Sequence, residues 1–348
     1  MFATPAAVAV NTPTPTIVAS AKLVEMSDLT VQFVTRDQTV SAINGVTLSL
    51  EAGETLCIIG ESGSGKSVTL RALMRLLPEE KTRISGTVRV AGKDILSLSR
   101  QQLSRIRGST VSMIFQEPMT ALDPVYTIGQ QIAETVMRHD GCNRATAMAR
   151  ALELLMLVRI PSPERRLRAY PHELSGGLRQ RAMIAMALSC RPSLLLADEP
   201  TTALDATVQI QVLILLRQLQ KQMGMGLIFV THDLGVAAQI ADKVAVMYAG
   251  RLVETGAAAD VLLRPMHPYT QGMLASTVHG QDRNRDIEAI PGNPPDLRRL
   301  PAGCSFAPRC RHATISCFKE LPPEVITGPG RMARCAFPHG QSVGSVTH

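Results

Sequence analysis

Aromatic residues are scarce in this sequence. They make up 3% of its 348 residues, and tryptophan is absent. The net charge of +7 is modest, and the lysines and arginines are scattered without a dense block. Proteins that bind nucleic acid usually concentrate basic charge on one surface and stack aromatic rings on the bases. The composition therefore argues against a nucleic-acid partner. We interpret the charge as a solvated surface, with anionic lipid headgroups as one candidate neighbour.

Long apolar runs are missing as well. No stretch approaches the roughly 20 apolar residues that a membrane-spanning helix needs. Hydrophobic residues nevertheless make up 45% of the chain, enough for a sizeable core. Residues 1–22 are rich in Ala, Thr, Pro and Val but lack the basic start and compact apolar stretch of a secretion signal. We expect a disordered leader there, and any membrane role to come through partner proteins.

Seven cysteines fall into two groups. Three are scattered, and we expect them to be small core residues: Cys57, Cys142 and Cys190. Four cluster near the end, with five, six and seventeen residues between neighbours: Cys304, Cys310, Cys317 and Cys335. These gaps are wider than the tight pairs of zinc ribbons and differ from the runs of bacterial ferredoxins. The spacing alone leaves unligated thiols, a zinc ion and an iron–sulfur cluster equally open.

Apolar segments alternate with segments of helical period through most of the chain. Strand-like runs occur at 23–34, 43–58, 84–95, 194–197, 226–230 and 244–248. Helical periods occur at 68–77, across about 118–181, and at 208–222 and 234–240. This alternation predicts an α/β fold centred on a parallel sheet. After about Gly256 the chain becomes rich in Pro, Arg and Cys, which predicts a separate tail module.

A complete P-loop lies between a predicted strand and a predicted helix. Its residues are Gly60, Glu61, Ser62, Gly63, Ser64, Gly65, Lys66 and Ser67. Its glycines let several backbone N–H groups point at one phosphate, and the following helix adds the positive end of its dipole. Lys66 can reach the β- and γ-phosphates, and Ser67 can place its hydroxyl on Mg²⁺. The loop predicts binding of a nucleoside triphosphate.

An acidic pair ends the apolar run at 194–197. Asp198 and Glu199 follow directly, at the carboxyl end of the predicted strand, where ligands bind in open α/β sheets. Asp198 suits Mg²⁺, and Glu199 is placed to orient or deprotonate the attacking water. Such a pair is weak evidence alone, but together with the P-loop it predicts hydrolysis.

The segment LSGGLRQR at 174–181 decides between the classes of nucleotide-binding protein. Ser175, Gly176 and Gly177 open a predicted helix and can form a second anion site. The segment resembles the signature sequence of ABC ATPases, and the other motifs of that family follow in order. They are Lys66, Gln116, Ser175, Asp198 with Glu199, Asp205 and His232. The resemblance covers roughly residues 23–340.

The resemblance implies an ABC cassette at 23–256, with an antiparallel β subdomain and a helical subdomain at about 118–181. It also implies that two cassettes pack head to tail, so that each ATP lies between the P-loop of one and the signature of the other. Gln116 would contact Mg²⁺ or the water and sense the permease. Asp205 would link the two sites, and His232 would contact the γ-phosphate.

One position departs from the family. Family members usually place an aromatic residue upstream of the P-loop, where it stacks on adenine. The stretch at 35–42 has none, Phe33 is only a nearby candidate, and Val40 offers an apolar contact instead. We expect weak specificity for the base.

The tail, residues 257–348, carries a second resemblance. The segments PMHPYTQG at 265–272, PGNPP at 291–295 and CSFAPRC at 304–310 follow in order. They resemble the C-terminal extension of the dipeptide, oligopeptide and nickel importer ATPases, with the dipeptide importer D-type subunit as the most similar subgroup. The resemblance favours a 4Fe–4S cluster on the four tail cysteines. A disulfide framework is disfavoured in a nucleotide-hydrolysing cytosolic chain.

Together these resemblances imply an ATPase that powers uptake of di- and oligopeptides at the cytoplasmic face of the bacterial inner membrane. Its expected partners are a sister ATPase or a second copy, two transmembrane permeases and, indirectly, an extracytoplasmic substrate-binding protein. Nickel, glutathione or another small solute remain alternative cargoes. A non-transport ABC ATPase is the alternative of another class, disfavoured because the chain has one cassette and no long coiled-coil insertion.

Overall fold

The computed structural model describes residues 22–202, 204–276 and 289–338. The expected leader lies outside these residues except for Lys22, which begins the first strand. The strands are β1 (Lys22–Val34), β2 (Thr39–Glu51), β3 (Thr55–Ile59), β4 (Thr82–Val90), β5 (Lys93–Asp94), β6 (Val111–Ile114), β7 (Leu194–Asp198), β8 (Gly226–Thr231), β9 (Lys243–Tyr248), β10 (Arg251–Ala257), β11 (Glu324–Gly328) and β12 (Arg331–Arg334). The α-helices are α1 (Lys66–Leu73), α2 (Arg100–Ile106), α3 (Pro118–Ala121), α4 (Ile128–Asp140), α5 (Arg144–Leu157), α6 (Pro163–Arg166), α7 (Gly176–Ala187), α8 (Ala206–Met223), α9 (Leu234–Ile240), α10 (Ala258–Leu263), α11 (Pro268–Ala275) and α12 (Ile315–Lys319).

The larger sheet is parallel at its centre, as the alternation of strands and helices predicts. Its order is β11-β12-β10-β9-β3-β8-β7-β6, and the pairs from β9 through β6 are parallel. Every residue of β3, β7 and β8 is buried. Strands covered on both faces need apolar residues at successive positions, which explains their continuous apolar sequences.

Side chains of the central strands contribute alternately to two hydrophobic cores. In β3, Cys57 and Ile59 join the core built with α4, α5, α7, α8 and α9. Leu56 and Ile58 join the core built with α1, α2 and the smaller sheet. Successive residues of a strand point to opposite faces, so one short strand serves both cores. The expectation that Cys57 is a core residue is confirmed.

The smaller sheet and the helical region complete the cassette. The smaller sheet has the order β2-β1-β4-β5 and is antiparallel throughout. Helices α3 to α7 occupy the predicted helical region. Thr127 is the N-cap residue of helix α4 and forms a reciprocal capping box with Gln130. Gly141, in the left-handed conformation, is the C-cap residue of the same helix. These caps satisfy backbone groups that the helix itself cannot pair. Within the described residues, no helix is long and apolar enough to span a membrane.

The tail continues the larger sheet. Strand β12 pairs with β10 and with β11, so the β11–β12 hairpin extends the edge of the sheet. Tyr269, Met273 and Phe306 pack into the core of the helical side. The division of the chain near Gly256 remains a prediction. However, the sequence pattern did not predict that the extension shares the sheet and the core of the cassette.

A buried carboxylate ties the start of the tail to β10. Glu254 is fully buried, and its carboxylate accepts hydrogen bonds from the Met266 and His267 backbone N–H groups at 2.8 and 2.9 Å. The His267 ring accepts a hydrogen bond from the Tyr269 N–H at 3.0 Å. Burial lowers the pKa of His267 to about 3, against a weaker opposing effect of its hydrogen bond with the Arg334 backbone. A neutral ring therefore fixes this turn.

Candidate functional site

The P-loop requires glycine where neighbouring backbone comes close. A Cβ at Gly60 would lie 2.2 Å from the Met247 carbonyl oxygen. A Cβ at Gly65, whose φ is 106°, would lie 2.7 Å from the Ala42 carbonyl oxygen. The two positions pack the loop against β9 and β2 at the end of β3. Around Gly63, by contrast, a Cβ would meet no atom of the described residues within 4 Å, so with respect to them this side of the loop is open.

Lys66 lies at the centre of the loop. Its Nζ donates hydrogen bonds to the carbonyl oxygens of Gly60 and Glu61 at 2.8 and 3.0 Å. The same nitrogen lies 4.0 Å from Glu199 Oε1. Burial lowers the pKa of Lys66, while the nearby carboxylates, Glu199 first, favour its charged form. The amine is thus held inside the loop, beside the acidic pair.

Ser67 and Asp198, which the sequence predicts as Mg²⁺ ligands, are hydrogen-bonded to each other. The Ser67 hydroxyl donates a hydrogen bond to Asp198 Oδ1 at 2.6 Å. Burial raises the pKa of Asp198, and the bond from Ser67 opposes that effect. Hydroxyl and carboxylate oxygens are the donors that Mg²⁺ prefers, so the chemistry of this pair fits that ion.

Glu199 has a left-handed backbone with φ 44°. This conformation costs a residue other than glycine about 1–3 kcal/mol and is typical of functional positions. Its Oε2 accepts a hydrogen bond from Thr202 Oγ1 at 3.1 Å and lies 3.2 Å from His232 Nδ1. The strained turn after β7 therefore directs the carboxylate toward both Lys66 and His232.

The loop also contains one buried polar side-chain atom that makes no hydrogen bond to the described residues. Ser64 is buried, and within the described part of the chain its hydroxyl oxygen has no hydrogen-bond partner. Ser62 and Gly63 are exposed beside it. An unpaired buried hydroxyl costs free energy unless a ligand or water bonds to it. Together with the open side at Gly63, this oxygen fits a phosphate group.

The remaining predicted residues lie elsewhere. Gln116 is exposed, just beyond β6 at the carboxyl edge of the sheet. Ser175 stands at the N-cap of α7, but its hydroxyl makes no capping hydrogen bond. A Cβ at Gly177 would lie 2.7 Å from Val208 Cγ1, so this segment packs on the start of α8. Asp205 caps α8 by accepting a hydrogen bond from the Val208 N–H at 3.0 Å.

The expected base-recognition stretch has an unexpected neighbour. Phe33 and Val40 are directly paired across β1 and β2, and both are partly buried. The Ser41 N–H donates a hydrogen bond to the Leu297 carbonyl oxygen at 3.2 Å. The tail thus reaches the strand near the place where the family carries its aromatic residue. Nothing in the local sequence signals this contact.

The tail cysteines come together in space. All four line one small, mostly apolar pocket: Cys304, Cys310, Cys317 and Cys335. Burial raises the pKa of the Cys335 thiol to about 11 and raises that of two of the other three. Among the described residues, however, no group of three or more His, Cys, Asp or Glu side chains is placed to hold a metal ion. The clustering of the four cysteines is present, and a metal-ligand geometry is not.

Sequence reasoning missed a contact between the tail and the P-loop. Arg309 donates from Nη1 and Nη2 to the two carboxylate oxygens of Glu61, at 2.8 and 3.1 Å. The Glu61 N–H donates a hydrogen bond to Tyr269 Oη at 2.9 Å. The only indication in the sequence is that Tyr269 and Arg309 lie inside the tail segments at 265–272 and 304–310.

Two family models match the chain. The model described as "ABC transporter" matches residues 43–202. The model described as "Oligopeptide/dipeptide transporter, C-terminal region" matches residues 253–317. The first match contains the P-loop, the signature and the acidic pair, and the second contains three of the four tail cysteines.

Similar proteins and structures agree with these matches. The oligopeptide transport ATP-binding protein OppD of Salmonella typhimurium is 49% identical over 316 residues, which is 91% of this chain and 94% of that protein. The probable peptide ABC transporter ATP-binding protein y4tR of Sinorhizobium fredii is 48% identical over 315 residues, 90% of this chain and 94% of that protein. The dimeric post-hydrolysis cassette MJ0796 with ADP and Pi has a TM-score of 0.61 and 28% identity, over 68% of this chain and 98% of that one. CbiO1 of Clostridium perfringens, part of the ABC transporter complex cbiONQ, has a TM-score of 0.60 and 27% identity, over 70% of this chain and 91% of that one.

Proposed function

The chain belongs to the ABC transporter ATP-binding proteins, and we propose that it is the ATP-hydrolysing subunit of an importer of di- and oligopeptides. One observation carries the proposal. The fold gathers Lys66, Ser67, Asp198, Glu199 and His232 at the carboxyl edge of one parallel sheet, although they are far apart in sequence. The 49% identity to OppD over most of both chains supports the peptide class of cargo.

The roles of these residues follow from their positions. Lys66 exchanges its bonds to the Gly60 and Glu61 carbonyls for bonds to the β- and γ-phosphates. Ser67 and Asp198 would hold Mg²⁺, which would neutralise phosphate charge. Glu199 orients the attacking water and accepts its proton, because its carboxylate is anchored at 3.1 Å by Thr202. His232, 3.2 Å from that carboxylate, contacts the γ-phosphate.

The site is completed by a second cassette. Ser175, Gly176 and Asp205 are exposed and belong to adjoining helix starts, so a partner's phosphates can reach them. Conversely, the P-loop of this chain packs against the signature segment of the partner. We propose a sister ATPase as that partner, with a second copy of this chain as the alternative.

Permease contact is proposed around Gln116. Phe115, Met119 and Tyr126 are large hydrophobic residues that are 39%, 47% and 51% exposed within this stretch. Such a grouping suits a protein partner. Two permeases would dock there and hold the chain at the cytoplasmic face of the inner membrane, with a substrate-binding protein on the other side.

We also propose that the four tail cysteines hold a 4Fe–4S cluster with a structural role. Backbone N–H groups support three of the sulfurs. The backbone of Phe306 and of Ala307 forms hydrogen bonds with the Cys304 sulfur, and the backbone of His312 forms one with the Cys310 sulfur. The Phe337 N–H donates to Cys335 Sγ at 3.4 Å. Such bonds stabilise thiolates and tune clusters. The proposal rests on the four cysteines lining one pocket and on the tail resemblance, although no group of three or more His, Cys, Asp or Glu side chains among the described residues is placed to hold a metal ion.

The hydrolytic proposal is tested with Glu199→Gln in the assembled importer. Steady ATP turnover should fall about 1,000-fold while ATP still binds, because the base is lost and the phosphate cradle is kept. Glu153→Gln changes an exposed carboxylate paired with Arg150 and serves as the control. Unchanged turnover in Glu199→Gln would contradict the assignment of hydrolysis to this site.

The cluster proposal is tested on anaerobically prepared full-length chain. An absorption spectrum with iron, sulfide and zinc assays should give near four irons and four sulfides per chain. Cys310→Ser should lose both together, whereas Cys142→Ser, in the helical region, should keep them. Zinc alone, or no metal, would refute the cluster and leave the ATPase proposal intact.

A further inference from the structure

We propose that Arg309 is a positioning residue of the ATP site, which makes the C-terminal extension part of the phosphate cradle. This inference rests on the proposed ATPase function. It concerns the residue after Gly60 in the P-loop, Glu61, and the arginine that immediately precedes Cys310. The two lie 248 positions apart in the chain and form a bidentate pair.

Glu61 is held at its carboxylate, its N–H and its carbonyl oxygen. Its carboxylate accepts from Arg309 at 2.8 and 3.1 Å, and its N–H donates to Tyr269 Oη at 2.9 Å. Its carbonyl oxygen accepts from Lys66 Nζ at 3.0 Å and from the Ser64 N–H at 3.2 Å. When Lys66 turns to a phosphate, the two tail residues still hold Glu61 together with this bond inside the loop.

Arg309 is itself seated firmly. Its side chain is 6% exposed. Its Nε donates to the Pro291 carbonyl oxygen at 2.8 Å, and Nη1 donates to Tyr248 Oη at 3.2 Å. The guanidinium also lies 5.8 and 6.0 Å from the centres of the Tyr248 and Phe306 rings. A buried arginine with planar, bidentate geometry loses little further freedom in holding a carboxylate.

The charge of the pair matters as much as its geometry. A triphosphate brings several negative charges to the P-loop, and Glu61 places another beside them. Arg309 neutralises that carboxylate in a bidentate pair. Without the guanidinium, a partly buried negative charge would stay unpaired within the loop that receives the phosphates, in a region of reduced dielectric constant where repulsion is strong.

A purely structural role makes a different prediction. If Arg309 only braces Pro291 and Tyr248, its loss loosens the tail whatever residue stands at position 61. If Arg309 acts through Glu61, removing the Glu61 charge must offset its loss. The two roles therefore separate in a double-mutant cycle between positions 61 and 309.

The experiment measures binding of MgATP to full-length chain, and KM and kcat in the assembled importer. Arg309→Met should raise the dissociation constant and KM about ten-fold, the effect of one well-placed charge, with kcat within about two-fold. Arg309→Lys should recover part of the loss. The double variant Glu61→Gln, Arg309→Met should bind ATP more tightly than Arg309→Met alone. Arg298→Met, which removes an exposed tail arginine paired with Asp296, is the matched control and should change neither constant.

The outcomes distinguish the positioning role of Arg309 from the ATPase proposal on which it rests. Wild-type chain that does not bind MgATP would refute the ATPase proposal. Wild-type binding with an unchanged Arg309→Met, or a double variant as weak as that single variant, would overturn the positioning role. Thermal unfolding without nucleotide identifies loss of folding. If Arg309→Met unfolds, Arg309→Lys and its combination with Glu61→Gln decide the question by the same comparison.

Discussion

The P-loop and the signature segment have similar local chemistry but very different surroundings. Both bring serine and glycine to the start of a helix, α1 in one case and α7 in the other. The P-loop is enclosed by β2 and β9 and has its lysine, its serine and its acidic partners in place. In the signature segment only Ser175 and Gly176 are exposed, and the hydroxyl of Ser175 makes no capping hydrogen bond. One chain therefore contains most of the predicted residues of one half-site and a small exposed surface for the other.

The difference shows that a motif alone does not determine how complete a site is. Backbone N–H groups at a helix start attract anions in both places. What the P-loop adds comes from distant parts of the fold, including Asp198 on β7 and Arg309 in the tail. At the signature segment, the neighbours of the two glycines are the apolar side chains of Leu204 and Val208. In the proposed dimer, the ligand of this segment is supplied by another chain.

The sharpest test of the comparison is Lys66→Ala. Hydrolysis in the assembled importer should fall about 1,000-fold, because a buried cation at the transferred phosphate is lost. Lys243→Ala removes an exposed lysine that pairs with Glu54 and should leave hydrolysis unchanged. Turnover above a tenth of the wild-type rate in Lys66→Ala would mean that the P-loop is less complete than its geometry indicates.

The second test compares two adjacent glycines of the signature segment. Gly177→Ala should destabilise the chain by about 1–3 kcal/mol, because overpacking against the stiff Val208 side chain strains the α7–α8 contact. In Gly176→Ala the new Cβ would meet, among the residues that the structure describes, only Leu204 Cδ2, at an ordinary 3.9 Å. Its stability should equal or exceed that of wild type by up to about 1 kcal/mol, since alanine favours a helix. Denaturant unfolding without nucleotide measures both, and equal losses would contradict the described packing.

The smallest effects are expected at two serines: Ser64, whose hydroxyl has no partner within the described residues, and Ser175, whose hydroxyl makes no capping bond. Ser64→Ala should weaken MgATP binding to isolated chain about three-fold, the effect of one hydrogen bond. Ser175→Ala should leave that binding unchanged and lower only turnover in the assembled importer, where a second cassette supplies the nucleotide. Nucleotide titration and a turnover assay distinguish them. If Ser175→Ala weakened binding to isolated chain, the two segments would be closer in function than the structure indicates.

Local patterns predicted the central strands well, and the hydrolytic roles of the motif residues remain predictions. Strands such as β3 and β8 are continuous apolar runs, and the P-loop announces itself by its own spacing. Strand β6 has only four residues, and β11 is mostly exposed, so neither shows a clear period. The tail was expected to stand apart because its composition changes. Its pairing with β10 depends on backbone hydrogen bonds, which composition does not report.

Long-range contacts were beyond the reach of sequence patterns. Glu61 occupies a position within the P-loop where many residues are acceptable locally. Its ion pair with Arg309 forms because the fold brings the C-terminal extension back against the P-loop. The burial of Glu254 was equally hidden, since a lone acidic residue in a strand usually faces solvent. In both cases the determining information was a partner in another segment, not the residue itself.

The reach of the tail back to Glu61 also sets an order of events during synthesis. The P-loop leaves the ribosome early, while its holders at positions 269 and 309 follow 208 and 248 residues later. Contacts between such distant segments form late, because the intervening chain must first be closed. A nascent or proteolytically shortened chain therefore displays the ATP-binding motif with its supporting side chains missing. Under the proposed role of Arg309, full affinity for MgATP is reached only after residue 309 has been synthesised.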